Sequence, residues 1–100
     1  MATPLRVVLW IANGLSNHKL ELLTFLDMHK TDIALISETH FTSRTFFKIP
    51  RYTVYRTVHP DDTAHGGVAV TLRSSIRHHE LLHYQFNKIQ AATIQLDARP

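Results

Sequence analysis

Two polar residues of this chain follow directly on strongly apolar runs. Asn13 comes after Leu5-Arg-Val-Val-Leu-Trp-Ile-Ala12, and Glu38 comes after Ile33-Ala-Leu-Ile36 and Ser37. Held side by side, a carboxylate and an amide oxygen are hard ligands of the kind that bind Mg²⁺ together with waters and phosphate oxygens. Such an ion polarises a phosphoryl group or activates water. The same residues also fit a plainer reading, in which Asn13-Gly14 is a turn and Glu38 a solvated loop carboxylate. The histidines offer less. His78, His79 and His83 fall at i, i+1 and i+5, which puts no three on one face of a helix or strand, and there is neither H-E-x-x-H nor a second cluster at zinc spacing. They read as surface residues. Arg44, Lys48, Arg51 and Arg56 are interleaved with Phe46, Phe47, Tyr52 and Tyr55. This pattern suits phosphate contact and base stacking, or equally loop anchors and strand core with solvated charges. Arg44 and Lys48, with His40 beside the strand end, are the candidate nucleic-acid contacts. His65-Gly66-Gly67 is followed by neither Lys-Ser/Thr nor a helix start, so those glycines serve a turn.

The elements that must position these groups follow from hydrophobic pattern. The run from Leu5 to Ala12 is almost continuously apolar and β-branched, which predicts a central strand covered on both faces. Asn13-Gly14 breaks it, and Ser16 or Asn17 is placed to cap a helix over residues 18–29 with Leu22, Leu23 and Leu26 on its buried stripe. Ile33–Ile36 supplies a second strand. Strand, helix and strand within this span make a βαβ unit, hence a parallel pair with a right-handed crossover. Groups that act on ligands collect at the carboxyl ends of such strands, here Asn13 and Glu38.

After residue 40 the helical period disappears. Phe41 to Pro50 reads as a loop, Tyr52 to Val58 as a half-exposed strand, His59 to Gly67 as turn chemistry and Val68 to Leu72 as a buried strand. Residues 76–84 fit no single assignment. Ile89 to Leu96 predicts another strand, with Ala92, Ile94 and Leu96 on one face. A buried sheet needs a layer on each side, yet only one convincing helix is present, so the expectation is a piece of a larger domain.

Composition excludes several classes. Hydrophobic residues make up 44% of the 100 residues and charged residues 19%, too apolar a balance for intrinsic disorder. No apolar run approaches the roughly 20 residues that cross a bilayer. The amino terminus lacks a basic region and a cleavage site of the secretory type. With no cysteine there is no disulfide, thiolate zinc site or thiol nucleophile. The net charge of +3 permits a polyanionic partner without demanding one, because both halves carry a similar excess.

The segments Leu9-Trp10-Ile-Ala-Asn13-Gly14-Leu15, His18-Lys19-Leu20-Glu21-Leu22 and Asp32-Ile33-Ala-Leu-Ile-Ser37-Glu38-Thr39-His40-Phe41-Thr42 closely resemble one known family. It is the amino-terminal part of the endonuclease domain of non-LTR (LINE-type) retrotransposons, nearest the jockey-like insect group. Gly66-Gly67-Val68-Ala69-Val70 and Ile89-Gln90-Ala91-Ala92-Thr93-Ile94 extend the likeness over residues 5 to 97. The resemblance implies the exonuclease–endonuclease–phosphatase superfamily. Its fold is an α/β, DNase I-like four-layer sandwich of two mixed sheets flanked by helices, of which residues 1–100 form the amino-terminal portion. It implies Mg²⁺-dependent nicking of target DNA, whose free 3′ hydroxyl primes a downstream reverse transcriptase domain, and action in the nucleus. Glu38 matches the metal-binding glutamate. Asn13 matches a position beside the metal that is Asp in related apurinic/apyrimidinic endonucleases and Asn in the retrotransposon enzymes.

Two departures accompany the match. The family motif reads Trp-Asn-x-Asn-Gly, and Ile11 stands where its first Asn helps organise metal and phosphate. The family's later Tyr, its Asp-x-Asn pair and its Asp-His pair are not among these 100 residues. A non-catalytic remnant of such an element, with at most weak nucleic-acid binding, is therefore the competing expectation. A phosphoesterase for lipid or nucleotide phosphates is disfavoured, because the jockey-like similarity runs well past the strand-end motif.

Overall fold

The apolar runs that bracket the leucine-rich segment pair in parallel. Strand β1 (Val7–Ile11) lies beside β2 (Ile33–Ser37), with Val7 opposite Ile33 and Ile11 opposite Ser37. Helix α1 (Lys19–Met28) makes the crossover that a parallel pair requires. The computed structural model describes residues 4–81, 84–86 and 89–96.

The helix starts later than a Ser16 or Asn17 cap would set it. Leu15–His18 forms a 3₁₀ turn, and neither that turn nor α1 has a side-chain cap. Leu15 is completely buried by this turn. Burying a leucine is worth about 1.5–3 kcal/mol, more than the ~1 kcal/mol of a capping hydrogen bond. Burial therefore decides where the helix begins. Leu22 and Leu26, one turn apart, form its buried stripe with Leu23 partly covered, while Leu20 and Met28 face solvent.

Strands β3 (Tyr52–Arg56) and β4 (Val68–Arg73) complete a four-stranded sheet in the order β1-β2-β4-β3, with β4 antiparallel to both neighbours. Among the described residues β1 is thus an edge strand, not the central one its apolar run predicts. The central positions belong to β2 and β4.

Side-chain alternation gives the sheet two distinct faces. Ala34, Ile36 and Ala69, with Val8, Trp10 and Val54, join the cluster of Leu22 and Leu26, and Leu15, Phe41 and Ile49 complete it from loops. On the reverse face, Ile33, Val70 and Leu72 pack against Tyr55, Ile76, Ala92 and Ile94. Ile94 of this cover belongs to β8 (Ile94–Leu96), which pairs with β5 (His78–Glu80), while β6 (Tyr84–Phe86) pairs with β7 (Ile89–Ala91). The single strand expected from Ile89 to Leu96 is interrupted at Ala92-Thr93, and the two ladders are offset by one residue. Toward β1 the cover runs out. Val7, Leu9, Ile11 and Leu35 remain exposed on that face.

Candidate functional site

Asn13 and Glu38 sit where the parallel pair ends, and backbone hydrogen bonds stitch that end together. Ala12 N–H donates to Ser37 O at 2.9 Å, Gly14 N–H to Glu38 O at 2.9 Å and Leu15 N–H to Thr39 O at 2.9 Å. The turn before β4 joins the seam: Thr39 N–H donates to Gly67 O at 3.3 Å and His40 N–H to Gly66 O at 2.9 Å. Forcing the chain through these turns puts three non-glycine residues, Asn13, Glu38 and His40, at positive φ of 49°, 55° and 60°. Left-handed residues of this kind cost of order 1–3 kcal/mol each and persist where surrounding structure over-determines them. Here the seam does so. Gly67, at φ 82°, is required by space as well, since a Cβ there would lie 2.8 Å from Thr39 Oγ1 and 3.0 Å from Thr57 O. The Gly66-Gly67 turn is thus a close-approach element.

The side chains at this end divide by role. The Glu38 carboxylate accepts a hydrogen bond from His40 Nε2 at 3.1 Å, with half of the Glu38 side chain still open to solvent. His40, expected as a nucleic-acid contact, thus hydrogen-bonds the carboxylate at this end of the sheet. Its ring also lies over Gly14, where Nδ1 would be 3.5 Å from an added Cβ. Asn13 is exposed in the adjoining turn. One oriented carboxylate, with an exposed amide in the adjoining turn, is a donor set of hard oxygens, which fits a divalent cation that keeps waters and phosphate oxygens as its other ligands. Ile11, the last residue of β1, is 72% exposed on the uncovered face opposite Ser37.

The basic and aromatic residues separate into bound and free sets. Tyr52 donates its hydroxyl to Thr31 O at 2.6 Å, and burial pushes that hydroxyl's pKa up. Tyr55 bonds His78 Nε2 at 2.9 Å, Phe47 packs on Phe41 with ring centres 5.1 Å apart, and Arg56 lies over the Phe41 ring. These four anchor structure. Arg44 and Lys48 are exposed, and between them Phe46 is 86% exposed. Their loop is tied to the next one by Asp62, which accepts from Ser43 N–H at 2.7 Å and Ser43 Oγ–H at 2.6 Å, bonds that lower its pKa.

That next loop holds a cluster the sequence reading passed over. His59, Asp61 and His65 bring one ligand atom each within 4.8 Å of one another. The spacing H-x-D-x₃-H belongs to no helix or strand, and only the fold of the turn assembles it. Of the histidines weighed from sequence, His78 is engaged with Tyr55, His79 is exposed, and His83 lies outside the described residues.

No protein-family model matches the chain. It is 35% identical over 92 residues, or 92% of its length, to the RNA-directed DNA polymerases from mobile element jockey of Drosophila funebris and Drosophila melanogaster. A probable RNA-directed DNA polymerase from transposon BS of Drosophila melanogaster is 32% identical over 97 residues. Among solved structures it matches the Xenopus laevis APE2 catalytic domain, with a TM-score of 0.59 and 25% identity over 74% of the chain. The chain is thus similar over nine-tenths of its length to jockey-like non-LTR elements. This jockey-like segment spans 10% of the length of the two jockey relatives and 26% of the APE2 domain, and its mixed sheet is part of a DNase I-like fold. Among its described residues no helix is long and apolar enough to cross a membrane.

Proposed function

We propose that this chain is the amino-terminal part of a Mg²⁺-dependent endonuclease of a non-LTR retrotransposon, one that nicks target DNA in the nucleus and leaves a 3′ hydroxyl for a downstream reverse transcriptase domain to extend. The observation that carries this reading is Glu38. It is a carboxylate at the carboxyl end of a buried strand, aimed by His40 and locked beside the Asn13-Gly14 turn. Glu38 is the metal ligand, and Asn13 faces the metal or the scissile phosphate. Mg²⁺ held there would supply Lewis-acid stabilisation of the phosphoryl oxygens. His40 keeps the carboxylate in one orientation, as outer-shell partners of metal ligands do. Arg44 and Lys48 contact the DNA backbone, with exposed Phe46 available for stacking.

Relaxation of supercoiled plasmid by a polypeptide of the relatives' length, carrying these residues at its amino end, tests the proposal. Glu38→Gln is expected to cut nicking by at least the 10²–10³ typical of one preorganised polar group. EDTA is expected to abolish it. An unchanged rate in Glu38→Gln overturns the assignment. The 100 residues alone are expected not to nick, because hydrolysis also needs an oriented water and a proton acceptor that they do not supply.

A second reading has its own observation. Ile11 can neither donate nor accept a hydrogen bond at the strand end where the family carries Asn, which favours a non-catalytic remnant. Ile11→Asn in the longer polypeptide separates the two. A gain of about 10²–10³ in nicking marks an impaired but otherwise intact site. No nicking before or after the change supports the remnant.

A further inference from the structure

We propose that His59, Asp61 and His65 form a second metal site, separate from the Glu38 end of the sheet, that takes a divalent transition metal of the zinc class. The loop carrying them is closed at its base by Thr57 N–H donating to Val68 O at 2.9 Å, so all three ligands come from one pinned turn. The His59 and His65 rings lie against each other with centres 3.9 Å apart. Asp61 bridges them, with Oδ1 2.9 Å from His59 Nδ1 and Oδ2 3.7 Å from His65 Nε2.

Thr63 sets the tautomer that makes this a site. Its hydroxyl donates to Asp61 Oδ1 at 2.7 Å, so its oxygen must accept from the His65 Nδ1–H at 2.5 Å. In the neutral ring that leaves the lone pair of His65 Nε2 pointing at a carboxylate oxygen with no proton between them. A cation between them, a proton or a metal ion, satisfies both lone pairs. The Thr63 backbone N–H also donates to Asp61 Oδ1 at 2.9 Å, which leaves Oδ2 as the oxygen aimed at the shared space. Zinc to N or O distances near 2.0–2.2 Å separate tetrahedral ligand atoms by about 3.3 Å, so a closure of roughly 1.5 Å brings all three onto one ion. Two imidazoles and one carboxylate suit zinc-class metals and disfavour Mg²⁺, which prefers oxygen ligands. The fourth position is left to water. The same arm bonds His40 through Gly66 and Ser43 through Asp62, so the metal would stiffen the border of the Glu38 site without entering it.

Metal titration of the EDTA-stripped 100-residue chain in excess Mg²⁺ tests this. One equivalent of Zn²⁺ is expected to bind. His59→Gln and His65→Gln are each expected to weaken it by more than about 100-fold, beyond the 10–100-fold expected for Thr63→Val as an outer-shell change. Glu38→Gln is expected to leave it untouched. His65→Cys supplies a positive signal that does not depend on loss. The chain has no cysteine, so Co²⁺ binding there should produce a thiolate charge-transfer band, and that band should vanish when His59→Gln is added. Absence of the Zn²⁺ equivalent, its persistence in His59→Gln and His65→Gln, its loss in Glu38→Gln, or a missing Co²⁺ band overturns the proposal.

Discussion

On the helix side of the sheet Ala34, Ile36 and Ala69 lie under Leu22, Leu26, Leu15, Phe41 and Ile49, none of them more than 2% exposed, while on the reverse side Leu9 and Ile11 of β1 stand 77% and 72% exposed. Both faces belong to the same four-stranded sheet. What differs is the supply of cover. The βαβ crossover delivers a helix to one face by topology alone, and the loop from Phe41 to Pro50 plugs its gaps. Among the described residues the reverse face receives Ile76, Ala92 and Ile94 from the last third of the chain, which reach Ile33, Val70 and Leu72 but stop short of β1. A strand apolar on both sides is written for two layers, and the described residues provide one and a fraction.

The contrast is broken most forcefully at Phe41. Phe41→Ala removes a completely buried ring that packs on Phe47 and carries Arg56 over its face. A loss of about 3–5 kcal/mol is expected, a large share of a small domain's total stability. Chemical denaturation, or failure to fold at all, reads it out. A loss under ~1 kcal/mol would mean that the helix-side core is not the sealed layer described here.

Gly67→Ala probes the seam where both faces meet the strand ends. The substitution combines an unfavourable φ, worth about 1–2 kcal/mol for an L residue, with a Cβ pressed against Thr39 Oγ1 and the Thr57 carbonyl. A total near 2–3 kcal/mol is expected from strain and contact together. A melting curve indistinguishable from wild type would show that the turn shifts freely and does not fix the Glu38 end.

Thr71 offers a change of opposite sign. It is buried on the helix side between Ala34 and Val54, and among the described residues its Oγ1 has no hydrogen-bond partner. Removing an unsatisfied buried hydroxyl in favour of a near-isosteric methyl recovers its desolvation penalty, so Thr71→Val is expected to stabilise by about 1 kcal/mol. Destabilisation would indicate that the hydroxyl is satisfied in solution.

Legibility from sequence followed the same division. The parallel pair and the shared strand end of Asn13 and Glu38 were readable, because a short βαβ unit leaves the chain one way to connect. The leucine stripe of α1 was readable from its period, though its start was not. A cap is a local signal worth ~1 kcal/mol, and burial of Leu15 outweighed it. The edge position of β1 was hidden because an apolar run states how much cover a strand is built for, not how much it receives. The contact of His40 with Glu38 was hidden because the two lie two residues apart across a left-handed turn, where neither strand nor helix period applies. His59, Asp61 and His65 were missed for the same reason: turn geometry, not periodicity, brings them together.

The gentlest test exploits that uncovered face. Leu9→Thr introduces a β-branched residue that suits a strand and removes apolar surface already exposed to water, so within these 100 residues its effect is expected to stay within about 0.5 kcal/mol. The same change in a polypeptide of the relatives' length asks a different question. In a DNase I-like fold two sheets stack face to face, and the face bearing Leu9 and Ile11 is the one left free to receive the second. If it does, Leu9 becomes buried and Leu9→Thr is expected to cost about 2–3 kcal/mol, the transfer energy of a leucine side chain plus the penalty of a hydroxyl without a partner. Equal, small effects in the two contexts would show that the reverse face stays open, and that the apolar content of β1 serves something other than a second layer.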